Sequence, residues 1–149
     1  EHIDRCLAKD AEVLEVCVQN AVQEKVDILE QGAKDGHSSF ILNFGHTIGH
    51  AIEALSHFSL SHAEAVGIGM LIEMNVASSD AHDRIEALLT QLSMPIDFPP
   101  SMEVRDVWEV ILSDKNVRSD GDVRIAVPSE IGANHILPMT KEQLLAICS

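Results

Sequence analysis

The chain has 149 residues, a formal net charge of −14 at pH 7 and 46% hydrophobic residues. This length predicts about one domain, and the apolar fraction is large enough for a buried core. The lysines and arginines form no basic stripe, so we expect neither nucleic acid nor an anionic membrane as a partner. No apolar run approaches the roughly 20 residues of a membrane span, and the first residues do not have the pattern of a signal peptide.

The cysteines indicate a reducing compartment. Cys6, Cys17 and Cys148 lie far apart in the sequence, and none belongs to a CxxC pair. Such a set does not suit a disulfide-stabilised scaffold, and we therefore expect a cytoplasmic protein. The sequence opens on Glu1 without a methionine, and we expect it to be a piece of a longer protein.

Apolar spacing predicts helices through the first two thirds of the chain. Only 3% of the residues are aromatic, which favours packed helices over a β-sandwich. Spacings of three and four predict one or two helices within residues 2–31, and composition predicts a loop at 32–39. Asn43 is a suitable N-cap for the next helix. Further helices are predicted over 43–56, 62–79, 79–92 and 102–112, with a proline-rich loop at 94–100.

The last part of the chain has a different pattern. Asp120-Gly121 is a hairpin turn signal, residues 123–127 alternate like a strand, and residues 131–137 are a candidate partner. Thr140 begins a final predicted helix. The predicted fold is therefore mainly α, one helical domain over residues 1–149 with a small β-hairpin near residues 122–137.

Three histidines stand out as candidate ligands. The stretch LNFGHTIGHAIE, residues 42–53, places His46 and His50 one turn apart on one face of a helix. His62 begins the next predicted helix, which can fold back antiparallel and bring its ring to the other two. Catalytic zinc commonly takes three protein ligands and keeps one open position. The motif lacks the internal glutamate of the HExxH zinc enzymes.

The asparagine and glycines of this stretch suggest a second use. A helix beginning at residues 43–45 would offer free backbone N–H groups and a positive dipole end to an anion. Gly45 and Gly49 each cost a helix about 1 kcal/mol relative to Ala, which indicates close approach by a ligand or a neighbouring helix. Packing alone is the plain alternative for an HxxxH pair. Three histidines with two glycines and an asparagine in about twenty residues favour function over packing.

These motifs resemble a known family. LNFGHTIGHAIE, followed by HAEAVGIGM at residues 62–70, resembles the metal-binding signature of 3-dehydroquinate synthase, which is close to LNFGHTxGHAIE and then HGEAVAxGM. The order of elements agrees as well, including Asp114-Lys115 before a strand and Ile131-Gly132. The resemblance implies the helical C-terminal domain of a two-domain α/β protein, whose NAD-binding domain lies upstream of residue 1.

The resemblance implies a reaction and a metal. The enzyme would convert the sugar acid phosphate DAHP to 3-dehydroquinate and phosphate in the shikimate pathway, with NAD as a recycled cofactor and Zn²⁺ or Co²⁺ as the metal. His46 and His62 match the two histidine ligands. A homodimer is also implied, and no NAD-binding residue is expected in this chain.

Further residues match substrate contacts of the family. Asn43 and His50 correspond to residues at the phosphate end of the substrate, and His50 is also a candidate proton relay. Lys25 stands at the spacing of an active-site lysine with a catalytic and substrate-binding role. Lys115 lies near another substrate-binding lysine of the family.

Several positions depart from the family pattern. The third metal ligand, a glutamate, would precede residue 1, so we expect this chain alone to bind zinc weakly and to be inactive. Ser39 stands where the family has an arginine on the substrate carboxylate, and that loss is not conservative. Ala63 replaces a glycine, and Asp35 matches a family acid only loosely. We interpret Glu64 as an acid that supports the site or the fold, not as a ligand.

These departures leave two alternatives open. One is another enzyme of the same superfamily, either a sugar phosphate cyclase whose substrate lacks the carboxylate or a metal-dependent alcohol dehydrogenase. The other is a non-catalytic domain whose histidines bind metal for stability or pack in the core.

Overall fold

The computed structural model describes residues 2–35, 38–57, 59–113, 123–130 and 132–148. The described part of the chain is mainly helical, with one antiparallel hairpin, which confirms the predicted fold class. None of its helices is both long enough and apolar enough to cross a membrane. The elements in chain order are α1 (His2–Leu7), α2 (Ala11–Asp35), a 3₁₀ helix (Ser38–Asn43), α3 (His46–Leu55), α4 (His62–Ala77), α5 (His82–Gln91), α6 (Val104–Ser113), β1 (Val123–Glu130), β2 (Ala133–Met139) and α7 (Lys141–Cys148).

The chain divides into two compact units, residues 1–42 and residues 43–149. In the first unit, Asp10 caps α2, because its carboxylate accepts hydrogen bonds from the N–H groups of Glu12 and Val13. The same carboxylate pairs with Arg5 at 2.7 Å. The single-domain assignment of residues 1–149 stays a prediction.

The predicted loop at 32–39 is wrong in part. Helix α2 continues to Asp35, and the 3₁₀ helix begins at Ser38. The carboxylate of Asp35 accepts a hydrogen bond from the N–H of Ser38 at 2.9 Å, which joins the two helices. Gly32 is buried inside α2, where a Cβ would lie 2.6 Å from the backbone nitrogen of Ser39. The composition suggested that the helix ends at Gly32, but this glycine lies within α2 and allows close packing against Ser39.

Helix α4 is the centre of the second unit. It is apolar on nearly every side and packs against α3, α5, α7 and β1. A helix without a polar face suits a position surrounded by other elements. Its inner residues join side chains from the neighbouring elements in one core, among them Ile48, Ile52, Ile68, Met74, Val107, Ile111, Ile125 and Leu144.

The hairpin pairs β1 with β2 in antiparallel register, from Val123 opposite Met139 to Glu130 opposite Ala133. This confirms the predicted strand and its partner, with β2 beginning two residues later than predicted. Gly132 turns the chain with φ +93°, a conformation that favours glycine. The turn signal at Asp120-Gly121 lies outside the described residues.

The final helix begins as predicted. Thr140 and Gln143 form a reciprocal cap, in which the backbone N–H of each residue donates to the side chain of the other, at 2.8 and 3.3 Å.

Residues 94–100 form neither helix nor strand, which confirms the proline-rich loop. Helix α5 begins at His82, three residues later than predicted, because the hydroxyl of Ser79 accepts a hydrogen bond from Ala81 and turns the chain first.

Candidate functional site

Three histidines meet where α3 and α4 cross. The ring centroid of His46 lies 5.2 Å from that of His50 and 5.3 Å from that of His62. The His50 and His62 centroids are 5.5 Å apart, and one ring nitrogen from each residue lies within 4.8 Å of the others. His46 is half-buried, whereas His50 and His62 are exposed. The structure therefore brings together the three histidines that the sequence singled out and leaves the cluster open on one side.

Hydrogen bonds orient two of the rings. Nδ1 of His46 lies 3.0 Å from the carbonyl oxygen of Phe44, and Nδ1 of His62 lies 3.1 Å from Oε2 of Glu53. Both partners are hydrogen-bond acceptors, so Nδ1 of each ring is the donor, and in the neutral ring Nε2 is the nitrogen that can bind a metal. Histidines that bind metals are usually held this way, often by a carboxylate. The donor set and its orientation therefore fit a divalent metal.

Glu53 is a site residue that sequence reasoning missed. It lies on α3 three residues after His50, which places the two on the same face of the helix. Its side chain is 20% exposed and reaches the first residue of α4. The sequence contained a signal for it, because the last residue of the GHAIE motif is a glutamate three residues after His50.

The start of α4 is fixed by a second reciprocal cap. Glu64 accepts a hydrogen bond from the N–H of Ser61 at 2.8 Å, and the hydroxyl of Ser61 accepts one from the N–H of Glu64 at 3.3 Å. The hydrogen bond from the Ser61 hydroxyl also holds the pKa of Glu64 below its usual range. Glu64 thus fixes the position at which α4, and with it His62, begins.

Helices α3 and α4 approach closely through glycines. A Cβ at Gly69 would lie 2.1 Å from the carbonyl oxygen of Gly45, and a Cβ at Gly49 would lie 2.8 Å from Cα of Val66. Gly45 has φ +75° and no room for a side chain, because a Cβ would lie 2.5 Å from Cγ of Met70. The glycines of the motif therefore make room for the neighbouring helix.

The predicted N-cap and the predicted anion site are wrong at the start of α3. This helix begins at His46 with Gly45 as its N-cap, while Asn43 ends the preceding 3₁₀ helix. The carboxylate of Glu73, from α4, accepts hydrogen bonds from the N–H groups of Gly45 at 2.8 Å and Ile48 at 3.4 Å. A carboxyl group of the protein itself occupies the N-terminal end of the helix, so these amides are not free for an external anion.

Glu73 is fully buried. Burial raises the pKa of its carboxyl group to about 8, although hydrogen bonds from the N–H groups of Gly45, Ile48 and Thr47 act in the opposite direction. An unfolded glutamate has a pKa of about 4.3. The folded protein therefore holds this proton more tightly than the unfolded chain does.

A pH dependence of stability follows from this shift. The proton bound to Glu73 contributes fully to the free energy of unfolding below the unfolded pKa. This contribution is lost as the pH rises through about 8. We expect the free energy of unfolding of the metal-free full-length protein to fall between about pH 5 and pH 8 and to level off at higher pH. Replacement of Glu73 by Gln should flatten this slope by up to about 1.4 kcal/mol per pH unit. The measurement is denaturant unfolding of both proteins across this range. Parallel slopes of the free energy of unfolding against pH would contradict the assignment of this pH dependence to Glu73.

The other predicted site residues are less constrained by the structure. Lys25 is exposed on α2 in the first unit, and Asn43 is half-buried at the end of the 3₁₀ helix. Lys115 lies outside the described residues. The roles of all three stay predictions. A cleft of about 230 Å³ beside His50 is lined by Thr47 and Ala51 of α3 and by residues 110, 111 and 113 of α6.

A second cluster lies at the start of α5. Nδ1 of His82 is 3.4 Å from Asp83 and 3.6 Å from Glu86. The side chain of Asp83 is fully exposed, and ion pairs of this kind on a surface contribute little. The cluster on α3 and α4, with its oriented rings and neighbouring cleft, is the better candidate for a metal centre.

The fold places the chain in a known structural class. It superimposes with a TM-score of 0.72 on a 2-deoxy-scyllo-inosose synthase solved with carbaglucose-6-phosphate, NAD⁺ and Co²⁺, at 21% identity over 92% of this chain and 41% of that one. The TM-score is 0.73 for a 2-epi-5-epi-valiolone synthase from Streptomyces hygroscopicus with NAD⁺ and Zn²⁺ bound, at 20% identity over 93% of this chain and 40% of that one. The helical domain therefore has the fold of sugar phosphate cyclases.

Sequence comparison identifies the family. The family model for the 3-dehydroquinate synthase C-terminal region matches residues 1–117, and the chain belongs to this family. It is 35% identical to the 3-dehydroquinate synthase of Geotalea uraniireducens over 99% of its length and 36% identical to that of Pelobacter propionicus over 96%. The chain spans 43% and 41% of the length of these two relatives.

Proposed function

We propose that the chain is the metal- and substrate-binding part of a 3-dehydroquinate synthase, which converts DAHP to 3-dehydroquinate and phosphate. The observation that carries this proposal is the oriented cluster of His46, His50 and His62 in a chain of this family. NAD would bind mainly to a region of the full-length enzyme outside this chain. We also propose that the full-length enzyme is a homodimer in the cytoplasm.

His46 and His62 would hold Zn²⁺ or Co²⁺ through Nε2. When bound, the metal supplies polarisation of the oxygens at the carbon that is oxidised. The Phe44 carbonyl and the Glu53 carboxylate each accept a hydrogen bond from Nδ1 of one ring, which leaves Nε2 of both ligands to face the metal. Glu53 also makes the His62 ring a stronger electron donor.

His50 would contact the phosphate end of the substrate. It is exposed at the edge of the 230 Å³ cleft, on the same side as the two ligands. An exposed imidazole in this position can donate a hydrogen bond to a phosphate oxygen and move a proton during elimination. Asn43, Lys25 and Lys115 are the other proposed substrate contacts. Because Glu73 occupies the amides at the start of α3, we assign the phosphate to side chains.

Ser39 supports a second candidate function. The family arginine that would hold the substrate carboxylate is absent at this position, and a site without it favours a sugar phosphate that lacks a carboxylate. The solved neighbours include cyclases with other names and products, one of them bound to carbaglucose-6-phosphate. A sister cyclase is therefore the alternative.

The test uses the full-length gene product. Its zinc content is measured, and phosphate release from DAHP is followed with NAD present. We expect release that stops when a chelator removes the metal and returns when Zn²⁺ is added. Bound zinc and NAD without DAHP turnover would contradict the synthase and point to a sister cyclase, which sugar phosphates without the carboxylate would then identify.

A further inference from the structure

Glu73 has no role in the reaction described above, yet it is the only buried residue of the described part of the chain with an ionisable carboxyl side chain. It lies on α4, eleven residues after His62, among the apolar residues Leu71, Ile72 and Met74. Burying a carboxyl group without partners is costly. Its two oxygens accept hydrogen bonds from the first turn of α3, so its partners lie on the helix that carries His46 and His50.

The start of α3 has no cap of its own. Most helices use the side chain of the N-cap residue to accept hydrogen bonds from the first turn. Here the N-cap is Gly45, which has no side chain and cannot gain one, because Met70 and Val66 crowd the position. The buried N–H groups of Gly45 and Ile48 therefore depend on a carboxyl group 28 and 25 residues away in sequence.

The close glycine contacts bring α3 and α4 together, but van der Waals contact alone leaves rotation and sliding poorly determined. Hydrogen bonds have a preferred length and direction. Two of them, donated by the N–H groups of Gly45 and Ile48 to the carboxyl group of Glu73, constrain both the rotation and the axial position of that helix. His46 is the first residue of this turn, and His50 follows one turn later.

We propose that Glu73 is a positioning residue, which locks the first turn of α3 onto α4 and thereby sets the separation of His46 and His50 from His62. This inference rests on the metal-binding part of the proposed function. It does not require that DAHP is the substrate.

The test compares two variants of the full-length protein that keep the volume of the side chain. Glu73→Met removes both acceptor oxygens, whereas Glu73→Gln keeps one carbonyl oxygen for the N–H of Gly45. Both are expected to fold, because volume-conserving changes are tolerated best in a core. Leu144→Ala, at a fully buried position of α7, is the control for lost stability without a change at α3.

The readout is Co²⁺ affinity, measured from the visible absorption of the bound ion below the unfolding temperature of every variant. We expect Glu73→Met to weaken Co²⁺ binding by about tenfold or more, which is the usual effect of losing a group that orients ligands, and to change the absorption spectrum. Glu73→Gln should bind within about threefold of wild type. Leu144→Ala should lower the unfolding temperature and keep wild-type Co²⁺ affinity.

Unchanged Co²⁺ affinity in Glu73→Met, with a lower unfolding temperature, would overturn the proposal and leave Glu73 a purely structural residue. A wild-type protein that fails to bind Co²⁺ would overturn it too. If Glu73→Met does not fold, the test rests on Glu73→Gln, which keeps one acceptor oxygen. Loss of Co²⁺ affinity in Glu73→Gln as strong as in His46→Ala would then overturn the proposal. Wild-type Co²⁺ binding without DAHP turnover contradicts only the proposed substrate.

Discussion

Replacement of His46 by Ala in the full-length enzyme is expected to abolish DAHP turnover, with a loss in kcat on the order of a thousandfold or more. The imidazole is one of the two proposed histidine ligands in this chain, and a metal site without it would lose the ion that polarises the reacting oxygens. His46 is also the ring whose Nδ1 is fixed by the Phe44 carbonyl at 3.0 Å. The measurement is kcat for phosphate release, together with zinc content per protein chain.

Two further histidine variants make this result specific. His135 is exposed on β2 and lies outside the cluster, so His135→Ala should keep both zinc and turnover. His50→Ala should keep zinc and lose turnover, since His50 is assigned to the substrate. A His50→Ala protein without zinc would instead make His50 a ligand, and near-normal turnover in His46→Ala would contradict the ligand assignment altogether.

Local patterns were sufficient to predict the parts of the site that lie within one helix or across one short connection. The one-turn spacing of His46 and His50 placed both rings on one face of α3, and the short connection to His62 allowed α4 to fold back on it. The predicted helix start at Thr140 follows the same rule, because the Thr140–Gln143 cap that fixes it lies within one turn. Such features depend on neighbours in sequence and are visible without the fold.

The features that sequence reasoning missed depend on residues distant in sequence. Asn43 is chemically a good cap, but the cap of α3 comes from Glu73, which becomes a neighbour only after α4 has packed. A single glutamate within an apolar helix was the available signal. The loop predicted at 32–39 failed for a similar reason, because Gly32 serves contact with Ser39 inside a helix.

Substitution of Gly69 by Ala is expected to destabilise the second unit by about 3 kcal/mol or more, at the upper end of overpacking effects. The new Cβ would lie 2.1 Å from the carbonyl oxygen of Gly45 and 2.8 Å from the backbone nitrogen of Gly49. Both are backbone atoms of the α3 region and cannot rotate away, so α3 itself must move. The gain in helix propensity, about 1 kcal/mol, opposes this cost but is smaller.

Gly67 provides the matched control on the same helix. A Cβ there would lie 3.4 Å from the methyl ends of Leu89 and Met94, which is ordinary contact with flexible side chains. Gly67→Ala should therefore be neutral or stabilise the protein by up to about 1 kcal/mol. Denaturant unfolding of both variants, with zinc content measured alongside, checks the pair.

The two substitutions add the same methyl group to one helix two residues apart. The difference between their free energies of unfolding therefore measures the cost of a methyl group at the contact between α3 and α4. Because the displaced helix carries His46 and His50, Gly69→Ala should lose zinc affinity as well as stability, whereas Gly67→Ala should lose neither. Equal stability of the two variants would mean that α3 and α4 do not pack as closely as the glycine contacts require. Loss of stability in Gly69→Ala with full zinc affinity would mean that the histidine cluster tolerates a shift of α3, which would count against the positioning role of Glu73.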